Sequence, residues 1–258
     1  MTASPLLPRV LLTNDDGFDA PGLAVLAEVA RQIAEEVWIV APHQDQSGMG
    51  QSITMNGPLR TVARGEKQHA GKQWAVAGTP ADCVILGLQH LMRDTPPALV
   101  LSGVNAGENT GDDANLSGTI GAAFTALMLG APAIGISLGC ATRKNLRWDT
   151  ARMVLPDILK RLLQNGWSAE HCLSVNIPDR AAADVKPMQW VRPARRTVTS
   201  FRVEKREDLR EKDYFWIAPE SNEIHKAPGD DVSALDAGHV SVTAFALDRA
   251  AQGIKSNG

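Results

Sequence analysis

Five short apolar runs, "RVLLTN" (9–14), "VWIVA" (37–41), "ALVLSGV" (98–104), "AIGISL" (133–138) and "LSVNIP" (173–178), alternate with stretches of helical spacing. Strands of this kind have no polar face to give to water, so they belong inside a sheet that helices cover on both sides. Helices between successive strands make right-handed crossovers and leave the strands parallel. The pattern predicts a doubly wound α/β fold with a mostly parallel sheet.

The intervening segments support the alternation. From Pro21, residues Leu23, Leu26, Ala27, Ala30 and Ile33 recur at helical spacing, with Asp19 or Ala20 before a proline suited to a first turn. "TPADCVILGLQHLM" predicts a helix with Thr79 as N-cap and Pro80 at its first position, preceded by turns to Gly57 and a short hairpin region through "WAVAG" (74–78). Another helix is expected within 148–165. Ala114 to Thr142 contains no charged residue and exceeds the roughly 20 residues that cross a bilayer. Gly130 and Pro132 nevertheless divide it into a small-residue helix and a strand, and no membrane association is expected.

From about Asp179 the texture changes. "SFRVEKREDLREKDYFWIAPE" (200–220) mixes charge with β-formers, and "HVSVTAFAL" (239–247) alternates like a strand. Residues 1–178 are therefore read as an α/β core, and 179–258 as a C-terminal β-hairpin or arm extension of the same domain. The formal net charge of −3 argues against a nucleic-acid polymer as partner, while a small anion needs only local positive potential. Cys83, Cys140 and Cys172 are scattered in apolar surroundings, and the N-terminus lacks a basic leader, which points to reduced thiols in the cytoplasm.

"RVLLTNDDGFDAPG" (9–22) ends a strand in two adjacent carboxylates, Asp15 and Asp16. Ligands of parallel α/β sheets bind at the carboxyl ends of the strands, near the reversal of strand order. Two further polar loops, "APHQDQSGMGQS" and "NAGENTGDDANLSGT", follow strands of the same sheet and would open on the same rim. Asp15, Asp16, the Ser47 hydroxyl and the Asn105 oxygen form a donor set suited to one hard divalent cation, Mg²⁺ or Mn²⁺, which would also relieve the repulsion between the carboxylates. Asp-Asp-Gly also suits a capped turn, and it is the neighbouring loops that favour the cation. Ser117, Gly118 and Thr119 open a helix whose N-terminus favours phosphate, with Asn109 in the same loop; capping accounts for Ser117 or Thr119 equally well. No Walker sequence is present.

A metal beside an anion site suggests phosphoryl chemistry. "TNDDGFDAPG", "APHQDQSGMGQSIT", "GTPADCV" and "LVLSGVNAGENTGDDANLSGTIGAA" together resemble the SurE family, the survival protein that acts as a 5'-nucleotidase. "DVSALDAGHVSVTAFALD" resembles its C-terminal segment more weakly. The resemblance implies a Rossmann-like fold, an arm used in homodimers or homotetramers, and metal-dependent dephosphorylation of nucleoside monophosphates, with 3'-nucleotides or short polyphosphate as further substrates. It matches the metal ligands to Asp15, Asp16, Ser47 and Asn105, and phosphate binding to Asn109, Ser117, Gly118 and Thr119. Ala98, Leu116 and the "SVTAF" ending depart from the family pattern without removing a ligand.

The mechanism these parts suggest is attack by a metal-activated water, with Asn109 and the helix N-terminus stabilising phosphoryl charge. Asp15 or Asp16 as nucleophile or base is the other route. His43, His69, His90, His171, His225 and His239 show no zinc-helix spacing, and only His43, in the Ser47 loop, suits a proton-transfer or substrate role. Trp38, Trp74 and Trp190 read as core or interface, and Tyr214, Phe215 and Trp216 as interface or base-stacking residues. A receiver-like switch needs an acceptor Asp at the end of the central strand, where "SGVNAG" stands instead. A non-catalytic metal- and nucleotide-binding regulator stays open.

Overall fold

A computed structural model describes residues 6–65, 72–140, 142, 145–195, 197–220 and 226–248. Its strands are β1 (Leu7–Thr13), β2 (Ala34–Pro42), β3 (Thr61–Ala63), β4 (Gln73–Val76), β5 (Leu99–Ala106), β6 (Ala133–Leu138), β7 (His171–Ile177), β8 (Lys186–Trp190), β9 (Ser200–Glu207), β10 (Asp213–Glu220) and β11 (His239–Ala246). The helices are α1 (Pro21–Ala30), α2 (Pro80–Leu86), α3 (Gly118–Met128), α4 (Trp148–Asn165) and α5 (Asp231–Asp236).

Nine strands form one sheet in the order β3-β4-β2-β1-β5-β6-β7-β11-β8, and the run from β4 to β7 is parallel throughout. The chain first steps outward from β1 through β2 to β4, then starts again at β5 on the other side of β1. The order therefore reverses between β1 and β5, which places the ends of these two strands at the crevice where parallel sheets bind ligands.

Both faces of the central strands are buried, as their composition requires. Val10 and Leu12 of β1, with Leu99 and Leu101 of β5, pack under α1 and α4. Leu11 and Val100 point the opposite way, into a second core with Ile120 and Phe124 of α3 and Val84 of α2. Each fully buried leucine or isoleucine in these layers stabilises the fold by about 1.5–3 kcal/mol relative to exposure.

Several expected elements are shifted or extended. Thr79 caps α2 in a reciprocal box with Asp82, after which the helix widens into a π turn over Gly87–Leu91. Trp38 and Trp74 stack on each other with ring centroids 5.6 Å apart, whereas Trp190 is exposed. The C-terminal third does more than sit beside the sheet: β11 pairs antiparallel with β7 and parallel with β8, so both strands lie within the main sheet. Among the described residues, β9 and β10 pair only with each other, as an antiparallel ribbon. Cys83 and Cys172 are buried free thiols, and burial pushes Cys172 up to about 12. Among the described residues no helix is long and apolar enough to cross a membrane.

Candidate active site

Three loops meet over the β1–β5 crevice, and backbone hydrogen bonds fasten them together. The amide of Gln46, in the loop after β2, donates to the Asp15 carbonyl at 2.8 Å, and the Gly50 amide donates to the Leu116 carbonyl at 2.9 Å. The start of α3 lies directly against Asp15: a Cβ on Gly118 would stand 2.8 Å from the Asp15 Cβ and 3.0 Å from its Oδ2. A glycine is what lets the helix approach the carboxylate so closely.

Asp15 is almost fully buried, and the Thr119 hydroxyl donates to its Oδ1 at 2.6 Å. Burial pushes the carboxyl up to about 6, and the adjacent Asp16 adds to the rise, while the Thr119 hydroxyl opposes it. Asp16 turns the other way, its Oδ2 accepting from the Ala106 amide at 3.1 Å and so tying the end of β5 to the β1 loop. Ser47 donates through both its amide (2.8 Å) and its hydroxyl (2.7 Å) to Asp45 Oδ1, which leaves the hydroxyl lone pairs as its contribution to the site. Asn105 commits its Nδ2 to the Gly107 carbonyl at 2.9 Å, so its amide oxygen is the atom left to the cavity that it lines.

That cavity, of about 520 Å³, collects Asp15, Ser47, Asn105, Asn109 and Ser117 on one surface. Asp16 lines the adjoining depression with Pro21 and Trp148 instead. Ser117 Oγ caps α3 by accepting from the Ile120 amide at 3.2 Å, and Thr119 is fully buried with its hydroxyl on Asp15. His43 is exposed and is absent from the cavity wall, its amide donating to Val76. His69 and His225 lie outside the described residues.

Asn109 stands in the wall as expected, but its partners Asn176 and Ser137 do not follow from the sequence. Asn109 is fixed by Asn176 at the end of β7: its amide donates to Asn176 Oδ1 at 2.8 Å, Asn176 Nδ2 returns a bond to its carbonyl at 3.2 Å, and Asn109 Nδ2 donates to Ser137 Oγ at 2.8 Å. Glu108 and Asp113 add carboxyl groups to the wall, and Phe201, Ile217 and Pro219 of the β9–β10 ribbon close it from the side. Burial, with Glu108 and Asp112 nearby, raises the Asp113 carboxyl to about 6. Glu108 and Asp113 stand in the same loop as Asn109, whereas Asn176 and the ribbon residues reach the site from separate elements, so nothing in local spacing marks them.

The described cavity wall thus carries Asp15, Glu108 and Asp113 and no lysine or arginine. An anionic ester approaching such a wall is repelled unless a cation lies between them. Asp15, the Ser47 hydroxyl and the Asn105 amide oxygen, which share this wall, are donors of the kind a hard divalent cation prefers, and Asp16 stands beside Asp15 with its Oδ2 on the Ala106 amide.

Comparison with known proteins identifies the family. The family model described as Survival protein SurE matches residues 10–200. The chain belongs to the SurE family. It is 43% identical over 250 residues to "5'-nucleotidase SurE 1" of Burkholderia lata, covering 95% of this chain and 93% of that protein. "5'-nucleotidase SurE" of Azorhizobium caulinodans is 41% identical over 243 residues, covering 93% of both chains. The crystal structure of the SurE protein from Aquifex aeolicus superposes with a TM-score of 0.78 at 36% identity, over 94% of this chain and 95% of that one.

Proposed function

We propose that this member of the SurE family is a 5'-nucleotidase: a metal-dependent phosphomonoesterase that hydrolyses nucleoside 5'-monophosphates to nucleoside and phosphate. The relatives named 5'-nucleotidase SurE support the activity, and the observation that carries the metal dependence is a cavity wall that, among the described residues, has carboxylates but no basic side chain. Asp15, Asp16, Ser47 and Asn105 would hold one Mg²⁺ or Mn²⁺, which when bound neutralises phosphoryl charge and acidifies water. Asp15 is aimed by Thr119, and Asp16 fixes the β1 and β5 loops against each other. Asn109, held by Asn176, and the Ser117–Thr119 turn would bind the phosphoryl oxygens at the start of α3. The apolar Leu116, Phe201 and Ile217 give the nucleoside a dry flank.

The β9–β10 ribbon exposes Phe201, Val203, Phe215 and Ile217 on one face and Tyr214 and Trp216 on the other, apolar surface suited to a second copy of the chain, and we propose a homodimer or homotetramer built through the ribbon. We keep residues 1–178 as the α/β core and 179–258 as an extension of the same domain; the place of β8 and β11 in the main sheet supports the single domain. A cytoplasmic setting is supported by the reduced, buried thiols.

The test is phosphate release from a panel of nucleoside 5'- and 3'-monophosphates, an aryl phosphate and tripolyphosphate, each with Mn²⁺, Mg²⁺ or chelator. Release from the 5'-monophosphates that needs the cation is expected. Tight nucleotide binding without release under any condition would instead show a non-catalytic regulator.

A further inference from the structure

The end of β5 and the loop after it carry Asn105, Asn109 and Ser117, yet the middle of that loop is held from the far end of the chain. Asp231, at the start of α5 and 1% exposed, accepts three backbone amides. Its Oδ2 takes the Gly111 amide at 2.8 Å, and its Oδ1 takes those of Ala194 at 2.8 Å and Val232 at 2.9 Å. Thr197, equally buried, makes a second tie: its Oγ1 accepts from the Asp112 amide at 2.7 Å and donates to the Thr110 carbonyl at 3.3 Å. Asp112 Oδ2 answers by accepting from the Thr197 amide at 3.1 Å. Gly111 is pressed into this junction with φ +50°, and a Cβ there would stand 2.5 Å from Thr197 Cγ2 and 2.8 Å from the Ala194 carbonyl oxygen.

The segments that Asp231 joins are two walls of the same cavity. Asn109 lies two residues before Gly111, and Asp113, two residues after it, accepts the Ser117 amide at 3.0 Å and so passes the position on to the start of α3. Ala194 and Thr197 lead directly into β9, whose Phe201 closes the other side. We infer that Asp231, with Thr197, is a positioning residue: it sets the Asn109 loop and the root of the arm at the spacing that fits the phosphate and its nucleoside. The effect on substrate rests on the proposed nucleotidase reading; the effect on the loop does not.

The chemistry supplies a selective variant. A carboxylate accepts on both oxygens, whereas an asparagine has one acceptor and one donor end. Asp231→Asn can keep the Ala194 and Val232 bonds on its oxygen, but its NH₂ then faces the Gly111 amide, donor against donor. The tie to the active-site loop is lost while the tie within the extension remains. Thr197→Val removes the second tie at nearly constant shape, and Thr197→Ser keeps the hydroxyl.

Hydrogen–deuterium exchange and steady-state kinetics on the full chain test the inference together. Asp231→Asn and Thr197→Val are expected to speed exchange over residues 107–117 while the β1, β5 and β6 amides keep wild-type protection. With Mn²⁺ and a 5'-monophosphate, KM should rise about tenfold with kcat within about threefold, because binding contacts are lost rather than chemistry, and Thr197→Ser should restore it. Wild-type exchange over 107–117 in both variants, or faster exchange with an unchanged KM, overturns the inference. Should Asp231→Asn fail to fold, Thr197→Val against Thr197→Ser decides the matter. If the wild-type chain releases phosphate from no nucleotide, the nucleotidase reading fails on its own, and the exchange comparison still decides whether the loop is held in this way.

Discussion

Replacing Thr119 by valine removes one hydroxyl from a fully buried position and almost nothing else. That hydroxyl donates to Asp15 Oδ1 at 2.6 Å, and a hydrogen bond to a charged group contributes about 1.5–3 kcal/mol. In the Val variant one carboxylate oxygen loses its donor inside the protein, so the side chain is no longer held at the angle its neighbours impose. Losing a partner that orients a metal ligand typically costs about 10–100-fold in metal affinity, the same range as that energy when each factor of ten is about 1.4 kcal/mol. Calorimetric titration of Mn²⁺ into chelator-stripped protein measures it directly. We expect Thr119→Val to weaken Mn²⁺ by at least about tenfold and Thr119→Ser to stay within about threefold, since serine retains the donor. Wild-type affinity in the Val variant, with the fold intact, would refute the idea that this hydroxyl aims Asp15 at the cation.

Other perturbations have equally definite outcomes. Gly118→Ala puts a methyl 2.8 Å from the Asp15 Cβ, so it should lower the thermal midpoint by an amount reflecting about 1–3 kcal/mol of overpacking and reduce phosphate release more than tenfold; activity near wild type would show that α3 has room to move. Asp82 accepts from the Thr54 amide and hydroxyl and from the Thr79 amide, and Asp82→Ala is expected to cost about 1–3 kcal/mol in urea denaturation by leaving these donors and the α2 cap unmade. Arg9, with Trp38 and Lys72, holds the Glu36 carboxyl down to about 2 from 4.5. Its folded value is below its unfolded one, so its contribution to stability is present above pH 4.5 and lost as pH falls towards 2; the difference in stability between wild type and Glu36→Gln should shrink across that window. Trp216→Ser in the exposed ribbon should shift light-scattering mass towards the monomer, and an unchanged mass would move the interface elsewhere on the molecule.

The site was legible because its parts are local signals at strand ends. "TNDDG", the serine loop after β2 and "NAGEN" after β5 announce themselves in a few residues each, and parallel strands bring such ends together without further information. What the sequence hid depends on distant partners. Thr119 reads as part of a phosphate turn, but which oxygen its hydroxyl meets is decided by how closely α3 approaches β1. Asn176 is one of the polar residues of a mostly buried strand until Asn109 is seen beside it, and Asp231 is separated from Gly111 by 120 positions. β8, "KPMQW", carries a proline and little apolar alternation, and α5 has only six residues, too few to show a helical period. The placement of β11 between β7 and β8 is likewise a matter of pairing, which an alternating strand does not disclose.

The cavity over β1 and β5 is expected to work only with a cation held by Asp15 and its neighbours. This is tested by following phosphate release from a 5'-monophosphate as Mn²⁺ is added back to chelator-stripped protein, with wild type and Asp15→Asn side by side. Release that rises saturably with Mn²⁺ in wild type and stays at background in the folded variant is the predicted result. Release that survives chelation, or that Asp15→Asn supports at the wild-type rate, would contradict the account.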